Sequence, residues 1–136
     1  MDAIPYTNPV KQYNAEEMLR EVNKAFCGFT DELFPKRKLP SVVATGNWGC
    51  GAFRGDVELK FILQMMACVQ AEKSLAYFTF GDHLFCDRIY EMYSLLSSRK
   101  VTVGKLWRIL TENAGSMLNT NGSVFDFISR TLEYTQ

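Results

Sequence analysis

The stretch Ser41-Val42-Val43-Ala44-Thr45-Gly46-Asn47-Trp48-Gly49-Cys50-Gly51-Ala52-Phe53-Arg54-Gly55-Asp56 opens on β-branched residues, runs through glycines 46, 49, 51 and 55, and ends on a residue that caps helices. Residues 41–45 read as a short strand and 46–55 as a glycine-rich loop. Asp56 reads as the N-cap of a helix over residues 57–72, a segment without proline or glycine whose polar residues are limited to Glu58, Lys60, Gln64, Gln70 and Glu72. A helix this apolar is expected to be covered on most sides. Residues 75–80 read as a second strand, closed by Gly81 and Asp82. Strand, loop, helix and strand in that order make a βαβ unit, with parallel strands and a right-handed crossover.

Upstream, Asn14 followed by Glu17 resembles a capping box, and Met18, Val22, Ala25, Phe26 and Phe29 recur at helical spacing, which predicts a first helix over residues 15–28. Pro35, Lys36, Arg37, Lys38 and Pro40 then break the pattern, and their basic run reads as a solvated loop. Downstream, helices are expected over residues 84–98, with Phe85, Ile89, Met92 and Leu96 on one stripe, over 103–112 and over 124–134. There is no internal repeat. The fold class is α/β: one βαβ unit with flanking helices in an incomplete sheet, because two parallel strands leave edges and faces uncovered. The 136 residues read as a single unit, the C-terminal portion of a larger α/β domain. In isolation the two-strand unit, flanked by the apolar helix over residues 57–71, is expected to leave a hydrophobic face and a sheet edge uncovered, and so to self-associate.

With 47% hydrophobic and 22% charged residues the composition is that of a globular protein, not of a disordered tail or a rod. The 15 basic and 15 acidic residues cancel, so nothing attracts a polyanion in bulk, and direct sequence-specific nucleic-acid binding is not expected. Cys27, Cys50, Cys68 and Cys86 are scattered, with His83 as the one imidazole, which argues against a zinc site and for a reducing compartment. Residues 1–10 lack the basic and apolar regions of a secretory signal, and no apolar run is long enough to span a bilayer, so an intracellular protein without membrane partners is expected.

The glycine-rich loop carries the chemistry. It sits at the carboxyl end of a strand, where open α/β sheets bind ligands, and its glycines let backbone N–H groups converge on a phosphate. Gly46 and Gly51 have Walker A spacing, but Ala52 and Phe53 stand where Lys and Ser or Thr are needed, which excludes a nucleoside triphosphatase loop. Gly49, Gly51 and Gly55 miss the dinucleotide fingerprint by one residue, with Arg54 at the required position. Two readings stay open: a phosphate-cradling loop flanked by Trp48 and Phe53, or a tight structural turn with Trp48 in the core. Phe80, placed at the end of the second strand, is either a platform for a base or a core phenylalanine.

The run from Val43 to Phe53, then Gly55-Asp56, together with Tyr77-Phe78-Thr79-Phe80-Gly81-Asp82, is similar to the C-terminal part of the poly(ADP-ribose) glycohydrolase family. The similarity extends upstream through Glu21-Val22-Asn23-Lys24-Ala25-Phe26-Cys27-Gly28-Phe29 and downstream through Asp87, Ile89-Tyr90, Met92, Arg99-Lys100 and Thr102-Val103-Gly104. It implies a macrodomain-like α/β fold and, as ligand, ADP-ribose at the end of a poly(ADP-ribose) chain. It further implies that Asn47, Trp48, Gly49, Cys50, Gly51, Ala52 and Phe53 line the diphosphate and distal ribose, the amides of residues 49–52 donating, and that Phe80 packs on the adenine. Arg54 stands where a glycine is common. No cofactor or metal is implied; nucleus and cytoplasm, and the DNA damage response, are.

Members of this family hydrolyse a ribose–ribose O-glycosidic bond with a glutamate from a glycine-triplet and Gln-Glu-Glu signature, because a positioned carboxyl must protonate the leaving oxygen. Neither pattern occurs in these residues. Glu16-Glu17 lies in a first helical turn, Asp56 and Asp82 read as N-caps and His83 as a surface residue, so no catalytic acid is expected in this chain. The chain then either belongs to an active glycohydrolase, with the N-terminal half of the catalytic domain as partner, or is a non-catalytic ADP-ribose-binding or regulatory truncated isoform. An unstable product without function is the blandest reading.

Overall fold

The computed structural model describes residues 1–32, 40–118 and 123–135. The basic run Lys36, Arg37 and Lys38 lies outside the described residues. Among the described residues six α-helices and two strands follow one another: α1 (Ala15–Phe29), β1 (Val42–Gly46), α2 (Val57–Gln70), β2 (Ser74–Phe78), α3 (His83–Ser98), α4 (Val103–Glu112), α5 (Ala114–Met117) and α6 (Val124–Tyr134). Short 3-10 turns occupy Pro9–Gln12 and Gly51–Phe53. The chain divides into two compact units, residues 1–12 with 16–78 and residues 13–15 with 79–136.

In the first unit β1 and β2 run parallel, Val42 opposite Ser74 and Gly46 opposite Phe78, with α2 between them in sequence, as the βαβ reading requires. Asp56 caps α2, its Oδ1 accepting from the Leu59 N–H at 2.8 Å. The helix ends at Gln70, two residues short of the expected 72, because Glu72 turns to φ 56. The Glu72 N–H then donates to Val69 and the Lys73 N–H to Cys68, both at 3.0 Å, a Schellman closure with glutamate in the left-handed position that glycine usually fills. Ala25 and Phe29 of α1 pack with Ala67 and Cys68 of α2, and Val43, Trp48 and Leu75 close against them.

Residues 58–64 and 66–68 of α2 are all buried. The helix is covered on most sides, as its apolar sequence requires, and among the exposed apolar side chains of this unit Val42 and Phe78 lie on the sheet. Among the described residues the sheet is β1 and β2 alone, and neither strand has a fully buried residue, although parallel strands are normally covered on both faces. Helix α1 runs one residue beyond its predicted end and buries Met18, Glu21, Ala25 and Phe29, so the position expected for Val22 on the apolar stripe is held by an acid.

The second strand stops at Phe78 and not at residue 80. Thr79 accepts from the Asp82 N–H at 3.2 Å, and Phe80 and Gly81 adopt φ 55 and 88, so these residues form a turn that cannot continue a ladder. In the second unit Asp82 caps α3 through the Phe85 N–H at 2.9 Å, which starts the helix one residue early. Helices α4 and α6 occupy their predicted ranges, with side-chain caps from Thr102 and Ser123. Phe85, Met92 and Leu96 form the buried stripe of α3. The short α5 was not predicted: its sequence Ala-Gly-Ser-Met has no periodicity to read.

Candidate functional site

Residues 46–55 form a compact, internally bonded loop. The Trp48 N–H donates to Gly46 at 2.7 Å, Cys50 to Asn47 at 3.1 Å, Arg54 to Gly51 at 2.8 Å and Gly55 to Gly49 at 3.0 Å. The last bond closes a neck, where Cys50 and Gly55 also make an isolated parallel bridge. Three loop residues hold a left-handed backbone: Gly49 at φ 72, Gly51 at φ 66 and Arg54 at φ 63.

Two side chains one helical turn apart on α2 support this loop from below. Gln64, fully buried, donates to the Gly46 carbonyl at 3.0 Å and accepts from the Thr45 hydroxyl at 2.7 Å. Lys60, 1% exposed, forms a buried ion pair with Glu21 of α1, and its ammonium lies 4.3 Å from the centroid of Trp48 and 5.8 Å from that of Tyr6. A Cβ on Gly49 would meet Lys60 Nζ at 3.2 Å, and one on Gly55 would meet the Gly49 carbonyl oxygen at 2.5 Å. A Cβ on Gly51 would meet nothing within 4 Å. Gly49 and Gly55 are therefore set by packing at the neck, whereas Gly51 faces open space.

The N-terminal segment straps the far side of the loop. The Tyr6 N–H donates to Phe53 at 3.0 Å, the Arg54 guanidinium to Thr7 at 2.9 Å, and the Asp56 N–H to Gln12 Oε1 at 2.7 Å. Buried Gln12 also donates to Pro9 at 2.8 Å. Sequence reasoning missed this strap, along with Lys60, Gln64 and Tyr77 as parts of the site. Lys60 did carry a signal, since a lone lysine inside an apolar helical run needs a buried partner.

Each predicted residue has a definite place. Asn47 accepts from the Tyr77 hydroxyl at 2.9 Å, and the Tyr77 ring meets Phe61 edge-on at 5.2 Å. Trp48, partly buried, packs against the α1–α2 core with its Nε1 out of reach of solvent. Gly51, Ala52 and Phe53 are exposed. The Cys50 amide is occupied by the Asn47 carbonyl. Phe80 is 82% exposed in the second unit, and the aromatic that closes β2 opposite Gly46 is Phe78. Among the described residues no three His, Cys, Asp or Glu side chains gather into a metal site, and no helix is long and apolar enough to cross a membrane.

Burial pushes the Cys50 thiol up to about 11, with the Lys60 ammonium pulling it down and the Asp56 carboxylate pushing it further up. Burial, reinforced by Glu21 and Glu17, likewise raises Tyr6 to about 12, and burial with the neighbouring Cys50 raises Tyr77. At neutral pH Cys50 is thus a protonated thiol and no nucleophile. Peptide-resolved alkylation at about pH 8 should modify exposed Cys27 and Cys86 well before Cys50. All three shifts are upward, so the folded chain holds protons that the unfolded chain releases first. Their stabilisation is complete below the unfolded value of 9.0 for the thiol and 10.0 for the tyrosines, and is lost as pH rises through the folded values. Urea unfolding should show stability falling on the alkaline side, beginning near 9.

Comparison with known proteins accords with this geometry. The family model described as poly(ADP-ribose) glycohydrolase, macro domain fold, matches residues 1–87, which include α1, the loop and the whole βαβ unit. The chain is 35% identical to poly(ADP-ribose) glycohydrolase 2 of Caenorhabditis elegans over 127 residues, covering 93% of this chain and 26% of the relative. It is 31% identical to poly(ADP-ribose) glycohydrolase 1 of the same organism, covering 93% of this chain and 16% of the relative. It is 30% identical to probable poly(ADP-ribose) glycohydrolase 2 of Arabidopsis thaliana, covering 88% and 29%. The chain thus spans less than a third of the length of each. With a glycine loop mounted on a parallel βαβ unit and the family match running through both, this chain belongs to the poly(ADP-ribose) glycohydrolase family, whose fold is the macro domain.

Proposed function

We propose that the chain carries the diphosphate-binding and adenine-binding loops of an enzyme that hydrolyses ribose–ribose O-glycosidic bonds in poly(ADP-ribose). The single observation that carries this reading is Gly51. Arg54 keeps a side chain at nearly the same left-handed φ, and among the described residues, the chain neighbours of Gly51 aside, no atom lies within 4 Å of the missing Cβ. A ligand phosphate in that open space accounts for the glycine. On this reading the N–H groups of Gly49, Gly51 and Ala52 donate to the diphosphate, Asn47 and Phe53 flank it and the distal ribose, Trp48 and Cys50 contribute backbone, and Phe80 packs on the adenine.

The acid that protonates the leaving oxygen comes, on this reading, from the N-terminal half of the catalytic domain, the partner this proposal requires. No cofactor takes part, and the work belongs to the nucleus and cytoplasm and to the DNA damage response. The 136-residue chain by itself should release no ADP-ribose from poly(ADP-ribose), and should do so once a polypeptide with the Gln-Glu-Glu signature is supplied. Failure of that supplemented reaction would favour the non-catalytic, ADP-ribose-binding alternative. Calorimetric titration with ADP-ribose tests the site itself. Gly51→Val should abolish binding by filling the phosphate position, and Phe80→Ala should weaken it by about 1–3 kcal/mol through lost stacking. Wild-type affinity in both variants would overturn the assignment.

A further inference from the structure

The neck of the glycine loop is closed over a charge. The Gly55 N–H meets the Gly49 carbonyl at 3.0 Å, and the tip of Lys60 lies against both residues, with Nζ 3.2 Å from a Cβ built on Gly49 and Cε 3.1 Å from one built on Gly55. Lys60 and its partner Glu21 are each 1% exposed. An ion pair withdrawn from water in this way is a weak source of stability, because apolar residues of the same volume commonly serve as well. Lys60 also interrupts an otherwise apolar run, Leu59 to Leu63. Stability gives no reason for a cation at that place.

Its effect on the loop does. The ammonium end of the Lys60 side chain is the part that lies at the neck, 3.2 Å from a Cβ built on Gly49, and it pulls the Cys50 thiol down against the effect of burial. The ammonium is too buried to touch a ligand. Held in a water-excluded site, it needs no reorganisation when an anion arrives, which is the condition under which a fixed charge is most effective.

We propose that Lys60 is an electrostatic positioning residue, whose buried ammonium charges the underside of the loop at Gly49 and Gly55 and thereby makes the open face at Gly51 a site for an anion. The identity of that anion, the diphosphate of ADP-ribose, rests on the function proposed above; the charge beneath the loop does not. Glu21 holds the ammonium in place, and Trp48 and Tyr6 supply the π faces that line it.

The test is the double variant Lys60→Met with Glu21→Leu, which removes both charges at nearly constant volume. It should unfold cooperatively, close to wild type in Tm. Peptide-resolved alkylation of Cys50 across alkaline pH should show its midpoint moved upward, since the cation that pulled it down has gone. Binding of ADP-ribose, with inorganic pyrophosphate as a second probe, should weaken about tenfold or more. The polar pair Lys60→Gln with Glu21→Gln, uncharged but able to hydrogen-bond, reads the same way should the apolar pair fold poorly. An unchanged Cys50 profile overturns the proposal whatever the binding does, and so does undiminished binding in a folded double variant. Absence of binding by the wild-type chain would remove the diphosphate reading, leaving the charge under the loop to stand or fall on the Cys50 profile.

Discussion

Lys60→Met alone should cost about 3–5 kcal/mol of unfolding free energy, far more than the loss of a surface charge. The reason is what it leaves behind. Glu21 is 1% exposed, its Oε1 has no hydrogen-bond partner among the described residues, and its other cation there, Lys24, stands 3.6 Å away on the helix surface. A carboxylate stranded there must take up a proton or unfold its surroundings. The variant should therefore recover stability as pH is lowered, whereas the double variant with Glu21→Leu should not. Urea unfolding at two pH values separates these outcomes. A single variant as stable as wild type would show that the ion pair is not buried as described.

Gly55→Ala should be the most damaging one-carbon change in the loop, at about 3 kcal/mol, the upper end of the range for overpacking. Its Cβ would lie 2.5 Å from the Gly49 carbonyl oxygen and 3.0 Å from the carbonyl carbon, both backbone atoms that cannot rotate away. The neck would have to open, giving up the Gly55–Gly49 hydrogen bond and lifting the loop off Lys60. Gly51→Ala makes the contrast: with open space around it, it should cost only the left-handed backbone penalty of about 1 kcal/mol. Equal costs at the two positions in denaturant melts would contradict the division of the glycines into packed and open ones.

That division was beyond the reach of the sequence, where glycines 46, 49, 51 and 55 look alike. Their difference comes from Lys60, which arrives from α2, and from the neck bond, neither of which has a local pattern. The βαβ unit was legible because each piece carries its own signal: β-branched residues in β1, an aspartate cap and an unbroken apolar run in α2, and a hydrophobic run closed by glycine in β2. The end of β2 was misread because Thr79 and Phe80 have strand propensity, and only the turn accepting at Thr79, with Phe80 at φ 55, overrides it. Glu21 was hidden for a different reason. An acid beside Val22 looks like the solvent side of an amphipathic helix until its partner, 39 residues away, is known. The strap at Tyr6 and Gln12 depends on backbone bonds and one buried amide, which no periodicity announces.

Parallel strands are normally covered on both faces, and the described residues do not cover these. Two edges of the two-stranded sheet stand open among the described residues, and Val42 and Phe78 are half exposed or more. The binding proposed for the loop is separable from completion of the sheet, because the loop's supports, Lys60, Gln64 and the residue 6–12 strap, are all within one compact unit.

The most direct measurement is an amide-resolved NMR titration of the 136-residue chain with ADP-ribose. The amides of Gly49, Gly51, Ala52 and Phe53 are expected to shift together and saturably, and the Lys60→Met, Glu21→Leu double variant to need more ligand to reach the same shifts. Resonances from residues 49–53 that stay in place at saturating ADP-ribose, or shifts confined to other parts of the chain, would contradict the binding proposed for the loop.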